Sequence, residues 1–148
     1  MITVFVVTLL SMTGCSKPDD RDQFEGYYLL DGTGSLTLHG VYQNYSSPIN
    51  FSKEGLTLTK SMSNPTEMTV SGFFDQQATV IGNTIQFESF STTSTTNDGI
   101  TAQVIWDVKK GTLNGNVLTF KIELTGNAFY QGSSVPISGT ISCLATKQ

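Results

Sequence analysis

Histidine, cysteine and clustered carboxylates carry most protein chemistry, and in this chain they are few and far apart. His39 is the only histidine. Alternation with Leu36 and Leu38 puts it on the polar face of a strand, without the carboxylates or second histidine that a metal site or a nucleophile–base pair needs. Asp75, Glu88, Asp107 and Glu123 fall on separate segments, mostly at outward positions beside lysine or threonine, which suits solvated carboxylates better than a paired acid and base. Gly32-Thr33-Gly34-Ser35 lacks the lysine and following helix of a phosphate loop, and reads as a turn or bulge. Asn97-Asp98-Gly99 lacks the downstream carboxylate of a calcium loop and reads as a turn. No catalytic residue, metal ligand or cofactor is expected. The aromatic residues are different. Phe74, Phe87, Trp106 and Phe120 take inward positions on successive strands, where they either fill a core or line a cavity for one small ligand. Phe73, Phe90, Tyr42, Tyr45 and Tyr130 would form a contact patch if they were exposed together.

Strands must position these side chains. Only 14% of the 148 residues are charged, the formal net charge is -4, and the eight basic residues are scattered. Without a basic stripe to neutralise phosphates, nucleic-acid binding is not expected. Alternation is clearest in residues 117–124, with Leu118, Phe120, Ile122 and Leu124 inward and Thr119, Lys121 and Glu123 outward. Residues 101–109 repeat it through Ala102, Val104, Trp106 and Val108. The last segment repeats it through Val135, Ile137, Gly139, Ile141, Cys143 and Ala145, which makes Cys143 a small buried apolar residue. Further strands are expected at about 27–30, 34–39, 56–60, 67–74 and 84–90, with one more in 41–51. Asp31-Gly32, Gly82-Asn83, Asp98-Gly99 and Asn114-Gly115 accept the positive φ of tight hairpins. The polar run Ser91–Asn97 reads as a hairpin tip or loop. The expected fold is therefore all-β, an antiparallel meander of about eight strands that closes into a barrel to remove its edges. A two-sheet sandwich is the alternative.

Ile2–Leu10 is an apolar run interrupted only by Thr3 and Thr8, too short for a permanent span and suited to a signal peptide. Ser11-Met12-Thr13-Gly14-Cys15 follows, and it resembles a lipobox, with Met12 where leucine is usual. That resemblance implies cleavage before Cys15 and acyl chains on the new amino-terminal cysteine. Two or three acyl chains would hold the domain essentially permanently, at roughly 0.8 kcal/mol per buried methylene. Residues 1–14 are thus expected to form the signal peptide and 15–23 a lipidated cysteine with an acidic tether. Residues 24–148 would form one domain. Ser16-Lys17-Pro18-Asp19-Asp20-Arg21-Asp22 reads as a solvated spacer. It also resembles the lysine-plus-acidic signal of Bacteroidetes-type surface lipoproteins, so an outer-membrane anchor is expected, on either the surface-exposed or the periplasmic face.

Phe24-Glu25-Gly26-Tyr27-Tyr28, with an aromatic soon after a glycine at the start of the first strand, resembles the opening of the lipocalin-like or calycin-like domains of small Bacteroidetes lipoproteins. Tyr28 stands where lipocalins have tryptophan. The resemblance implies a noncatalytic envelope lipoprotein that binds a small apolar ligand inside its barrel. An accessory subunit of an envelope complex or glycan-handling system is the alternative reading, and a hydrolase a more distant one.

Overall fold

The computed structural model describes residues 17–148, so Cys15 and the expected signal peptide lie outside the described residues. The described chain is all-β with antiparallel pairing throughout. A 3-10 turn (Asp20–Gln23) precedes β1 (Gly26–His39), β2 (Asn44–Lys60), β3 (Glu67–Gly72), β4 (Gln76–Ile81), β5 (Thr84–Phe87), β6 (Phe90–Thr95), β7 (Thr101–Val108), β8 (Gly111–Asn114), β9 (Val117–Tyr130) and β10 (Ser133–Lys147).

The expected meander is present, with ten strands in place of about eight. Eight of them close a ring in the order β10-β1-β2-β3-β4-β5-β8-β9, sealed by the pairing of β9 with β10. The seam between β5 and β8 is short, only Thr84↔Thr112 and Ile85↔Gly111. The remaining pair, β6 and β7, stands outside this ring. β9 is long enough to pair with β8 through Val117–Thr119 and with β7 through Ile122–Phe129. The molecule therefore has a ringed lower half and an upper half that is one six-stranded sheet in the order β2-β1-β10-β9-β7-β6. This arrangement is neither a simple eight-stranded barrel nor two stacked sheets.

Some boundaries depart from the sequence reading. Asp31-Gly32 is not a hairpin turn. β1 runs through it unbroken, and the bulge lies opposite in β2, where Ser52 and Lys53 (φ 58°) both face Asp31, whose carboxylate accepts from the Ser52 hydroxyl at 2.6 Å and the Lys53 N–H at 3.0 Å. Ser91–Asn97 is not merely a loop, since Phe90–Thr95 pairs with β7 despite having no buried face. β4 and β8 were not among the expected strands; β4 buries only Ala78 and Val80, and β8 only Gly111 and Leu113. Gly82, Gly99 and Gly115 do turn hairpins, at φ of 59°, 80° and 60°.

The core fills the ring. Tyr28, Leu30, Leu56, Leu58, Met68, Ile85, Leu118, Ile122 and Ile141 are fully or almost fully buried, in the alternation that β strands demand. Three glycines shape the sheet above the ring. An added Cβ would lie 2.1 Å from the Thr140 carbonyl oxygen at Gly34, 2.0 Å from the Gln103 oxygen at Gly126, and 2.4 Å from the Ser35 oxygen at Gly139. Gly34 pairs with Ile141, Gly139 with Leu124, and Gly126 with Val104. From strand to strand the glycine thus steps by two residues, a diagonal line along which neighbouring backbones approach too closely for any side chain. Glycine kinks of this kind are how sheets acquire strong curvature.

Candidate functional site

Buried aromatics meet in the middle of the molecule. Phe74, Phe87 and Phe120 pack on one another with ring centroids 5.1–6.5 Å apart, within the range of favourable edge-to-face and tilted contacts. Their mutual contact makes them core. Gly72 explains how two adjacent phenylalanines reach the interior. At φ +114° it ends β3, its N–H donates to the Asp75 carboxylate, and the chain turns so that Phe73 and Phe74 both point in. Trp106 lies apart from the trio, half-buried on β7. Its ring stacks on Phe90 at 5.7 Å, Phe90 stacks on Phe74, and its Nε1–H donates to the Thr92 hydroxyl at 2.9 Å. On the opposite flank Phe51 lies over Gly32 and packs on Phe73 at 4.5 Å. A chain of rings thus runs from β2 to β7 at the level where the ring gives way to the open sheet.

The four carboxylates singled out in the sequence fall into two separate pairs, Asp107 with Glu123 and Asp75 with Glu88, and His39 joins neither. Asp107 and Glu123 both hold Lys109, the latter at 2.9 Å, and the Lys109 ammonium followed by the Ser89 hydroxyl keeps the Asp107 carboxyl below its ordinary range. His39 is exposed with Nε2 2.6 Å from the Ser138 hydroxyl. Asp75 and Glu88 line one shallow groove beside β3 and β4. Among the described residues no group of three or more histidine, cysteine or acidic side chains could hold a metal ion. Cys143 is a free, buried thiol, and burial pushes its pKa up to about 12, so it is protonated and unreactive at ordinary pH. Cys15 lies outside the described residues.

The two ends of the molecule differ. Residues 17–25 lie at the closed end, with the β2–β3 loop, the β4–β5 and β8–β9 turns and the carboxy terminus. Arg21 fastens them there. Its guanidinium is gripped by the Asp19 carboxylate and donates through Nη1 to the carbonyls of Ser61, Asn64 and Glu67 at 2.9–3.3 Å. Asp20 accepts from the Gly82 N–H, and Lys60 pairs with Asp22. Part of the expected solvated tether is therefore docked structure. At the far end three hairpin tips come together in sheet order, namely 40–43, 131–132 and 96–100, because β2, β1, β10, β9, β7 and β6 all run to that edge. They carry Val41 at 94% exposure, Tyr42 at 100% and Tyr45 at 60%, together with exposed Phe129, Tyr130 and Ile100. Of the expected contact patch, Tyr42, Tyr45 and Tyr130 are here, whereas Phe73 and Phe90 belong to the inner chain of rings. Val41, Ile100 and Phe129 were missed by the sequence reading, because membership of this end depends on which hairpins are long.

No protein-family model matches this chain, and no curated protein matches it.

Proposed function

We propose that this protein is a noncatalytic lipoprotein of the bacterial cell envelope, acylated at Cys15, that works as an interaction subunit through its hairpin end. One observation carries the reading. The residues that lead to Cys15 are fastened at the closed end by Arg21, where Tyr27, Met62 and Ile81 are exposed, while four of the five exposed aromatic side chains, Tyr42, Tyr45, Phe129 and Tyr130, gather with Val41 and Ile100 at the opposite end. Strand β1 alone, 14 residues long, spans about 45 Å at roughly 3.3 Å per residue. A membrane-held chain built in this way carries Tyr42 and Tyr130 well clear of the lipid surface. Exposed apolar and aromatic groups carried at one edge of a molecule suit protein recognition. The ligand reading of the interior has less support, since Phe74, Phe87 and Phe120 touch one another where such a ligand would sit.

The test has two arms in the native bacterium. A clickable fatty acid is expected to label the wild-type chain and not Cys15→Ser. In mild-detergent extracts the wild type is expected to run as a larger complex, and Tyr42→Ser/Tyr130→Ser as the acylated chain alone. A chain that takes up no acyl label, or a double variant that keeps the complex, would refute the corresponding half of the proposal.

A further inference from the structure

The outer wall of the ring holds a second feature that the hairpin end does not explain. Where β1, β10, β9 and β8 meet, an open trough of about 640 Å³ runs across the strands, within the size range of small-molecule sites. Its floor is built from outward-facing residues and the small backbone positions between them, with Thr33 and Ser142 beside Leu144, an apolar side chain left 44% exposed. Lys109, Lys110 and Lys121 line one wall. They are three of only eight basic residues in a chain of net charge -4. Lys109 is neutralised by Asp107 and Glu123, but Lys110 and Lys121 enter no ion pair among the described residues. The single carboxylate on the opposite wall, Asp31, is turned to other work, accepting from Ser52 and from the Lys53 N–H.

We infer that this trough binds a small amphipathic anion, its apolar body lying over Leu144 and the lysine stems and its acidic head between Lys110 and Lys121. Two unpaired ammonium groups beside an exposed apolar floor supply the two halves of such a ligand's chemistry. Lysine stems cover apolar surface while their heads stay wet, and charge-assisted hydrogen bonds are the stronger kind. The head could be a carboxylate, as on a fatty acid, or a phosphate, as on a lipid fragment. Both share one negative group on an apolar chain.

The experiment uses the full chain carrying Cys15→Ser, so that no acyl group competes, and titrates decanoate, decyl phosphate and the neutral control decanol below their micellar concentrations. Amide chemical shifts are the readout. Saturable shifts at Thr33, Lys121, Ser142 and Leu144 are expected with the two anions and not with decanol. The tighter of the two anions identifies the head group. Lys110→Gln/Lys121→Gln is expected to weaken binding by at least about tenfold, with the spectrum elsewhere unchanged, and Leu144→Ser to weaken it independently. Decanol binding as tightly as the anions would overturn the inference, as would shifts confined to the hairpin tips or no saturation with any probe. A double lysine variant that keeps its native spectrum and binds normally would overturn it as well.

Discussion

Tyr28 stands at the first buried position of β1, and its hydroxyl donates to the Phe24 carbonyl at 2.7 Å. With the fully buried Phe24 side chain, this bond ties the docked amino-terminal turn to the core. Tyr28→Phe leaves that carbonyl without its partner and is expected to cost about 1–3 kcal/mol, read from urea unfolding at neutral pH. Burial pushes the Tyr28 phenol up from 10.0 to about 12 and the Cys143 thiol up from 9.0 to about 12. The folded chain therefore keeps two protons that the unfolded chain releases first. Their stabilisation is complete below about pH 9 and is lost as pH rises towards 12. Denaturant midpoints should hold steady to that point and then fall, with a shallower fall in Tyr28→Phe. A midpoint unchanged from pH 9 to 12 would contradict this assignment. Burial of Cys143 was legible in the sequence because strict alternation over a long strand leaves little freedom, and Ile137, Ile141 and Ala145 are buried with it.

At the scale of the strands, alternation located β7, β9 and β10 and assigned their faces. It failed where two devices interrupt the period. At Asp31-Gly32 what reads as two strands is one, because a dipeptide that favours positive φ in isolation is held extended by contacts from a bulge in β2, at Ser52 and Lys53. Gly72 reverses the chain inside an apolar run, so Phe73 and Phe74 break the expected alternation. The diagonal of glycines was equally invisible, because Gly34, Gly139 and Gly126 line up only once the register is known. Gly126→Ala is expected to cost about 3 kcal/mol, since its Cβ meets backbone rather than a yielding side chain. Gly82→Asn should cost less than about 1 kcal/mol, because φ of 59° in open space suits asparagine. Thermal or urea unfolding of the two variants decides the matter, and equal costs would show that the diagonal is not under packing constraint.

For the whole molecule, the feature that matters is its polarity, one end fastened to the chain that leads to Cys15 and the other carrying apolar tips. The sequence supplied both sets of residues but could not show that they lie at opposite ends, which follows from strand lengths and pairing. Arg21 secures the fastened end. Its hydrogen bonds hold the Asp19 carboxyl down at about 2, from an ordinary 3.8. That contribution is present above about pH 4 and is lost as pH falls through 2, so the Arg21 Nε–H resonance should hold its position at pH 5 and move towards that of a free guanidinium as pH falls through 2, with the ring intact. If it does not move by pH 1.5, Asp19 is not its anchor. The most direct test of the proposed polarity is site-specific photocrosslinking in the native bacterium, with the crosslinker placed at Tyr42, at Tyr130 and, as a control on the side of the ring, at Thr79. Discrete adducts of one mass from positions 42 and 130, and none from 79, are the expected result; equal capture at all three positions, or none at the hairpin end, would contradict it.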